Sequence, residues 1–133
     1  MSYLGREYRF EREENFEAFL AAIDVAPEDK ARIAQYKPSQ KLERDGDGYR
    51  YTTVLPQRTK TITFKSGVEF DDEIKEGTSV KTTFTVDGDT VTQVIKDSKG
   101  RTATFKREYS GDKLKVSITA SVWDGVAYRY YTA

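Results

Sequence analysis

The sequence predicts a mainly β fold, in which ten antiparallel strands close into an up-and-down barrel or clam capped by two short helices. The strands are indicated by glycines at 67, 77, 88, 100, 111 and 125, which follow one another at intervals of 10, 11, 12, 11 and 14 residues. Runs rich in Thr, Val, Tyr and Phe lie between these glycines, a pattern typical of consecutive strands joined by turns. Because an open sheet of ten strands tends to curl or to pair its edges, closure is the expected outcome.

The helices follow one predicted strand at about residues 5–13. Residues 15–25 carry four apolar side chains at the spacing of one helix face, namely Phe16, Phe19, Leu20 and Ile23. Asn15 is the expected N-cap of this helix. A second short helix is predicted to begin near Pro27, because the first turn of a helix tolerates proline, and to end before Pro38.

The length and composition predict a single domain, residues 1–133, with a thin or partly hollow core. Leu, Ile, Val and Phe make up 28 of the 133 residues, close to the level at which disorder becomes the default, but 17 aromatic residues argue against disorder. The 22 basic and 22 acidic residues balance, so the basic excess expected of a nucleic-acid-binding protein is missing. Without His or Cys, the chain has no imidazole or thiolate metal site, no cysteine nucleophile and no Ser-His-Asp triad, and no cofactor is predicted.

Neither a signal peptide nor a membrane span is indicated. The opening MSYLGREYRF has no apolar h-region, and the longest apolar run is the five residues from Phe19 to Ile23. A membrane-spanning helix needs about 20 apolar residues. A cytoplasmic location without stable membrane insertion is therefore expected.

One arginine shares the apolar face of the predicted strand at 102–109. Three apolar side chains lie on that face: Ala103, Phe105 and Tyr109. Arg107 has the same parity, and turning it outward would bring Lys106 and Glu108 inward. A buried guanidinium needs an anion or several acceptors, and no inward carboxylate is evident nearby, so a ligand's carboxylate is a candidate partner.

Periodicity alone leaves the last strand open. In VAYRYYT its two faces are similarly apolar: Val126, Tyr128 and Tyr130 on one, and Ala127, Arg129 and Tyr131 on the other. The alternation on its own favours solvent for Arg129.

Several segments, in order over essentially the whole chain, resemble the intracellular lipid-binding proteins. They are ENFEAFL at the first helix, KPSQKLERDGD (37–47), FKSGVEFDD (64–72), FKREYSGDKL (105–114) and VAYRYY (126–131). They are similar to the fatty-acid-binding proteins, and the terminal SVWDGVAYRYY is especially similar to the insect midgut members. The resemblance implies a calycin-like barrel with a helix-turn-helix lid, and non-covalent binding and intracellular transport of a long-chain fatty acid.

The resemblance also implies which residues bind the ligand. Arg129 and Tyr131 match the Arg-x-Tyr pair that binds the fatty-acid carboxylate, which places Arg129 inside the barrel. Arg107 matches a second internal basic position that often acts through ordered water. Gln40 matches a polar residue of the head-group network in the insect proteins. The chain departs from many vertebrate members at Gln57, where they carry a portal phenylalanine, so the gate is expected to differ.

Three alternatives stay open on the sequence. A carrier of a retinoid, a carotenoid or another hydrophobic ligand would have the same architecture. A small-barrel enzyme belongs to another class, and the lack of His, Cys and a glycine-rich phosphate loop disfavours it. An interaction module would use Tyr128 and Tyr130 as an adhesive patch. The leading interpretation is a monomer that binds a long-chain fatty acid and neither enters membranes nor binds nucleic acid.

The acidic residues near the first helix bear on delivery. Glu13, Glu14 and Glu17 are expected on its solvent side, where they give little attraction to anionic membranes. Transfer of the ligand through water is one expectation from this charge, rather than transfer by collision with a membrane, and an ordinary solvated helix face without a role in delivery fits the same residues equally well.

Overall fold

The structure is a computed structural model that describes residues 3–23, 26–75 and 77–133, and it contains the ten strands and two helices that the sequence predicts. The helices are α1 (Phe16–Ala22) and α2 (Pro27–Ala34). The strands are β1 (Glu7–Glu14), β2 (Ser39–Asp45), β3 (Gly48–Val54), β4 (Thr59–Phe64), β5 (Phe70–Lys75), β6 (Thr78–Asp87), β7 (Thr90–Lys96), β8 (Thr102–Ser110), β9 (Lys113–Ala120) and β10 (Trp123–Thr132). The end of the first predicted helix, at residues 24 and 25, lies outside the described residues.

The strands form one antiparallel sheet that closes almost completely. Its hydrogen-bonded order is β4-β3-β2-β1-β10-β9-β8-β7-β6-β5, so the first strand pairs with the last. Among the described residues, β4 and β5 share no ladder and leave the gap in the barrel. Lys60 of β4 spans this gap by donating to Asp72 Oδ1 and to the carbonyl oxygen of Glu73, both at 3.2 Å.

Of the six glycines from residue 67 onward that indicate the strands, five lie in turns and one does not. Gly88, between β6 and β7, has φ 60°, a left-handed conformation that glycine adopts without steric cost. Gly125 instead lies inside β10, where an added Cβ would collide with the ring of Trp123. The turn predicted at 125 is therefore wrong, and the chain turns at residues 121–122.

The inward face of β8 is the one that its alternation predicts, and buried side chains alternate in the same way in β6 and β9. The most deeply buried side chains of β6, β8 and β9 are Val80, Thr82, Phe84, Arg107, Tyr109, Leu114, Val116 and Ile118. Apolar and aromatic groups thus line most of the interior, with a few polar side chains among them.

A β-bulge in β1 changes which of the alternating side chains point into the barrel. Phe10 and Arg12 pair with consecutive residues of β10, so Glu11 is one residue too many for the register. Because side chains alternate between faces, the inward positions are Phe10 before the bulge and Glu13 after it. Arg12 accordingly lies outside, where its guanidinium stacks over the ring of Tyr130 at 3.8 Å.

Helix α1 packs its apolar face on the barrel. Phe19 is 4% exposed and contacts the rings of Phe105 and Trp123, with centroids 6.4 and 5.9 Å away. Asn15 occupies the N-cap position, but its side chain makes no capping hydrogen bond. It has φ 60° and donates to the carbonyl oxygen of Val126 at 3.0 Å, so its side chain ties the start of α1 to β10.

Candidate functional site

Two arginines, Arg107 and Arg129, are the buried charged residues in the described part of the chain, 6% and 5% exposed. The alternation in β8 correctly predicted the inward direction of Arg107. Arg129 also points inward, as the family resemblance implies and against the choice that periodicity favours. The reason lies in the register, because Arg129 is directly opposite the buried Val116 of β9, and opposed residues share a face of the sheet.

Arg107 lies in a neutral polar cluster, called here the Arg107 cluster, with Gln40, Tyr51 and Gln93. Its Nε donates to Gln40 Oε1 at 3.1 Å, and its Nη2 donates to the Tyr51 hydroxyl at 3.2 Å and to Gln93 Oε1 at 2.9 Å. The guanidinium also lies over the rings of Tyr51 and Phe84, 5.0 and 5.6 Å from their centroids. The buried Nη1 has no hydrogen-bond partner among the described residues.

The Arg107 cluster therefore holds a positive charge that its own members do not neutralise. Burial lowers the pKa of Arg107, but Tyr51 and Tyr109 outweigh this effect, and the pKa lies above its usual value. The group is charged at neutral pH. A buried charge with an open N–H favours an anion in contact with it.

Arg129 lies in a different environment, called here the Arg129 cage, with Glu13, Tyr36, Phe10 and Phe16. Glu13 Oε2 is 3.1 Å from Nε and 3.1 Å from Nη2, so it lies against the edge of the guanidinium. Nη1 donates to the carbonyl oxygen of Tyr36, just after α2. Phe16 of α1 covers one face at 4.0 Å, and the Phe10 ring lies 5.2 Å away.

The position of Glu13 corrects the sequence interpretation. Glu13 and Glu14 lie in β1 rather than on the first helix, and of the three acidic residues only Glu17 is an exposed residue of α1. The bulge at Glu11 turns the Glu13 side chain toward Arg129, and this side chain is 27% exposed.

Tyr131 lies within electrostatic reach of both arginines. It is 4% exposed and lies on the same face of β10 as Arg129. Burial raises the pKa of its hydroxyl, Tyr51 adds to this effect, and Arg129 and Arg107 both lower it, leaving the pKa above its usual value. The hydroxyl is therefore protonated near neutral pH and available as a hydrogen-bond donor.

The structure thus brings the four residues predicted to bind the ligand into one interior region. Gln40 is 4% exposed and bonds to Arg107, while Tyr131 lies within electrostatic reach of both arginines. Whether these four bind a ligand stays a prediction.

The sequence interpretation missed three other members of the region. Gln93 lies between Val91 and Ile95 on β7, a polar residue on an apolar face, and this is the same signal that identified Arg107. Tyr51 gave no such signal, because aromatic side chains are common on the inward face of a strand. Glu13 was missed because a bulge cannot be read from the alternation.

Metal and membrane sites receive no support. In residues 3–23, 26–75 and 77–133, no group of three or more His, Cys, Asp or Glu side chains is placed to hold a metal ion. In the same ranges, neither helix has the length and apolar character needed to cross a membrane.

Fold and interior together define a small ligand-binding barrel with positive charge among apolar walls. Residues 5–123 match the model of the lipocalin / cytosolic fatty-acid binding protein family, and the chain belongs to that family. It is 56% identical to fatty acid-binding protein 1 of Manduca sexta over 133 residues, which cover 100% of both chains. This result confirms the resemblance to the insect proteins.

Two solved structures show how far the fold is shared. The fatty-acid-binding protein isolated from Manduca sexta superposes with a TM-score of 0.90 at 50% identity, over 98% of this chain and 99% of that one. The Schistosoma mansoni fatty acid binding protein in complex with arachidonic acid gives a TM-score of 0.85 at 28% identity, over 98% of this chain and 95% of that one. The ten-stranded barrel with two helices is confirmed.

Proposed function

We propose that this chain binds a long-chain fatty acid non-covalently inside the barrel and transports it in the cytosol. The carboxylate contacts the region formed by Arg107, Arg129, Tyr131 and Gln40. The observation that carries the proposal is the buried, charged Arg107, whose Nη1 has no partner among the described residues. The relatives named as fatty acid-binding proteins support the choice of ligand.

The chemistry of the region suits a carboxylate better than a neutral head group. A guanidinium presents planar, parallel N–H donors that match the two oxygens of a carboxylate. The other partners of Arg107 are neutral, so an acid would neutralise the cluster, whereas an alcohol or an ester would leave its charge uncompensated.

The tail lies against apolar side chains of the inward faces, among them Phe84, Phe105, Val116 and Ile118. Transfer of about fifteen methylene groups out of water contributes on the order of 12 kcal/mol, before the loss of chain freedom. A hydrogen bond to a charged group adds only about 1.5–3 kcal/mol. The tail therefore supplies most of the affinity, and the head group selects acids and sets the orientation.

The proposal further describes a monomeric carrier without catalytic activity. The lack of His and Cys removes the commonest general base and the cysteine nucleophile, and the balanced charge gives no net attraction to nucleic acid. A retinoid acid would satisfy the same head-group chemistry and is the second candidate. The absorbance of the protein as isolated distinguishes a bound retinoid from a saturated acyl chain.

The test is displacement of a fluorescent fatty acid by oleate and, separately, by oleyl alcohol. Displacement by oleate at micromolar concentration or below, with a clearly weaker alcohol, supports a carrier that recognises the carboxylate. Equal displacement by both keeps the ligand-binding barrel but contradicts the head-group assignment. If the probe does not bind, or neither ligand displaces it, the fatty-acid proposal is wrong.

A further inference from the structure

The two buried arginines differ in whether a carboxylate of the chain compensates their charge, and the proposed function does not explain this difference. In the described part of the chain, two guanidinium groups are buried, and one carboxylate, that of Glu13, contacts one of them. Arg107 is surrounded by neutral partners, whereas Arg129 is paired with an acid.

Glu13 occupies the part of Arg129 that a ligand's carboxylate would need. Nε and Nη2 form the edge that binds a carboxylate, and Glu13 Oε2 lies 3.1 Å from both. The remaining nitrogen, Nη1, donates to the Tyr36 carbonyl oxygen, and the Phe16 ring covers one face of the guanidinium. A fatty acid that binds this edge of Arg129 therefore competes with Glu13, although Nη2 itself makes no hydrogen bond among the described residues.

The ion pair is held in position by the backbone. The bulge at Glu11 aligns Glu13 directly opposite Arg129 in the β1–β10 ladder. Glu14, one residue later, points outward and pairs instead with Arg12 on the outer surface at 2.6 Å. The register therefore directs Glu13 toward the interior and Glu14 toward solvent.

We propose that Glu13 is a specificity-determining residue: as the counter-ion of Arg129, it leaves Arg107 as the single uncompensated buried charge among the described residues and so fits the interior to a head group with one negative charge. The inference rests on the proposed function. A monocarboxylate neutralises the interior, while a dianionic head group such as an alkyl phosphate brings one charge more than Arg107 can compensate.

The substitution Glu13→Gln tests this role, because it keeps the shape of the side chain and removes its charge. It frees the Nε and Nη2 edge of Arg129 for the ligand. Oleate is expected to bind roughly tenfold more tightly, as one more charge-assisted contact becomes available. Hexadecyl phosphate, which is mostly dianionic at about pH 8, is expected to gain more than oleate. Oleyl alcohol is expected to bind as it does to the unsubstituted protein.

The matched control is Glu14→Gln, which removes the same charge from the outer side of the same strand. It is expected to leave the affinities for all three ligands unchanged. The inference is overturned if Glu13→Gln binds oleate no more tightly than Glu14→Gln does, or if oleyl alcohol gains as much as oleate. If oleate does not bind to the unsubstituted protein, the proposed function itself is contradicted. Failure of the inference and failure of the proposed function are therefore distinguishable.

Thermal unfolding with and without oleate shows whether Glu13→Gln is folded. If it is not, the double variant Glu13→Gln/Arg129→Leu decides, since it removes both members of the ion pair and keeps the charge of Arg107. Its oleate affinity is expected within about threefold of the unsubstituted protein, because the net charge that the ligand meets is the same. A loss of tenfold or more would overturn the inference.

Discussion

The two buried arginines lie in the same interior but differ in their partners and in whether their charge is compensated. Four partners of Arg129 come from the first 36 residues: Glu13, Tyr36, Phe10 and Phe16. The partners of Arg107 come from β2, β3 and β7, and all are neutral. The Arg129 cage therefore joins β10 to the lid segment, while the Arg107 cluster keeps a charge available inside the barrel.

Burial of a charge therefore does not by itself identify a ligand-binding group. Arg129 is as buried as Arg107, but a carboxylate of the chain already compensates it. Both arginines keep a buried nitrogen without a hydrogen bond among the described residues, Arg107 Nη1 and Arg129 Nη2, but Arg129 Nη2 lies 3.1 Å from the Glu13 carboxylate. An anion-binding site is indicated where a buried cation has both an open donor and neutral partners, and among the described residues that condition is met at Arg107.

The largest effect is expected from removing the free charge. Arg107→Met replaces the guanidinium with an apolar chain and should weaken oleate about 10- to 100-fold, the value of one hydrogen bond to a charged group. Oleyl alcohol should be spared, because the tail contacts remain. Displacement titrations measure both ligands. Lys106→Met, on the outer face of the same strand, is the control, and a loss as large in that variant would contradict the role of Arg107.

A smaller effect is expected from removing the cation of the Glu13–Arg129 ion pair. Arg129→Leu leaves the Glu13 carboxylate without its cation and close to the ligand's head group. Oleate should weaken by roughly tenfold, with oleyl alcohol less affected, because two like charges then share the interior. Adding Glu13→Gln should restore the binding of oleate. Equal losses for the acid and the alcohol would remove the head-group role of this region.

The smallest effect is expected from pH. Binding should be nearly constant from about pH 6 to about pH 8, because the chain has no histidine. Burial raises the pKa of Tyr51, Tyr109 and Tyr131, so these hydroxyls stay protonated in that range. A steep change in oleate affinity between the two pH values would show that another group titrates.

The same three tyrosines fix the sign of an alkaline effect on stability. Their pKa values are higher in the folded chain than in the unfolded one, so the folded state holds more protons above about pH 10. The free energy of unfolding should therefore be unaffected by these groups below about pH 10 and should fall as the pH rises further. Urea unfolding at several alkaline pH values, followed together with tyrosinate absorbance, measures it.

Much of the fold was predictable because it depends on local patterns. Regular glycine spacing gave the number of strands, and the apolar face of α1 gave the helix that packs on β10. Two local details differ for tertiary reasons. Asn15 bonds to Val126 across the barrel instead of capping its helix, and Gly125 is required by the ring of Trp123 rather than by a turn.

The site was only partly predictable, because its pairings cross strands that are far apart in sequence. Arg107 was identified by its own neighbours, since Phe105 and Tyr109 fix its face. Arg129 was ambiguous until its register with β9 was known. Glu13 could not be placed, because one extra residue in β1 inverts every later position of the strand.

A crystal structure of the oleate complex shows which of the two arginines binds the carboxylate. We expect an oleate carboxylate oxygen within hydrogen-bonding distance, about 2.7–3.2 Å, of Arg107 Nη1, with the Glu13–Arg129 ion pair still in place. A carboxylate bound to Arg129 with Glu13 displaced, or a head group at the barrel surface with Arg107 Nη1 still unoccupied, would contradict it.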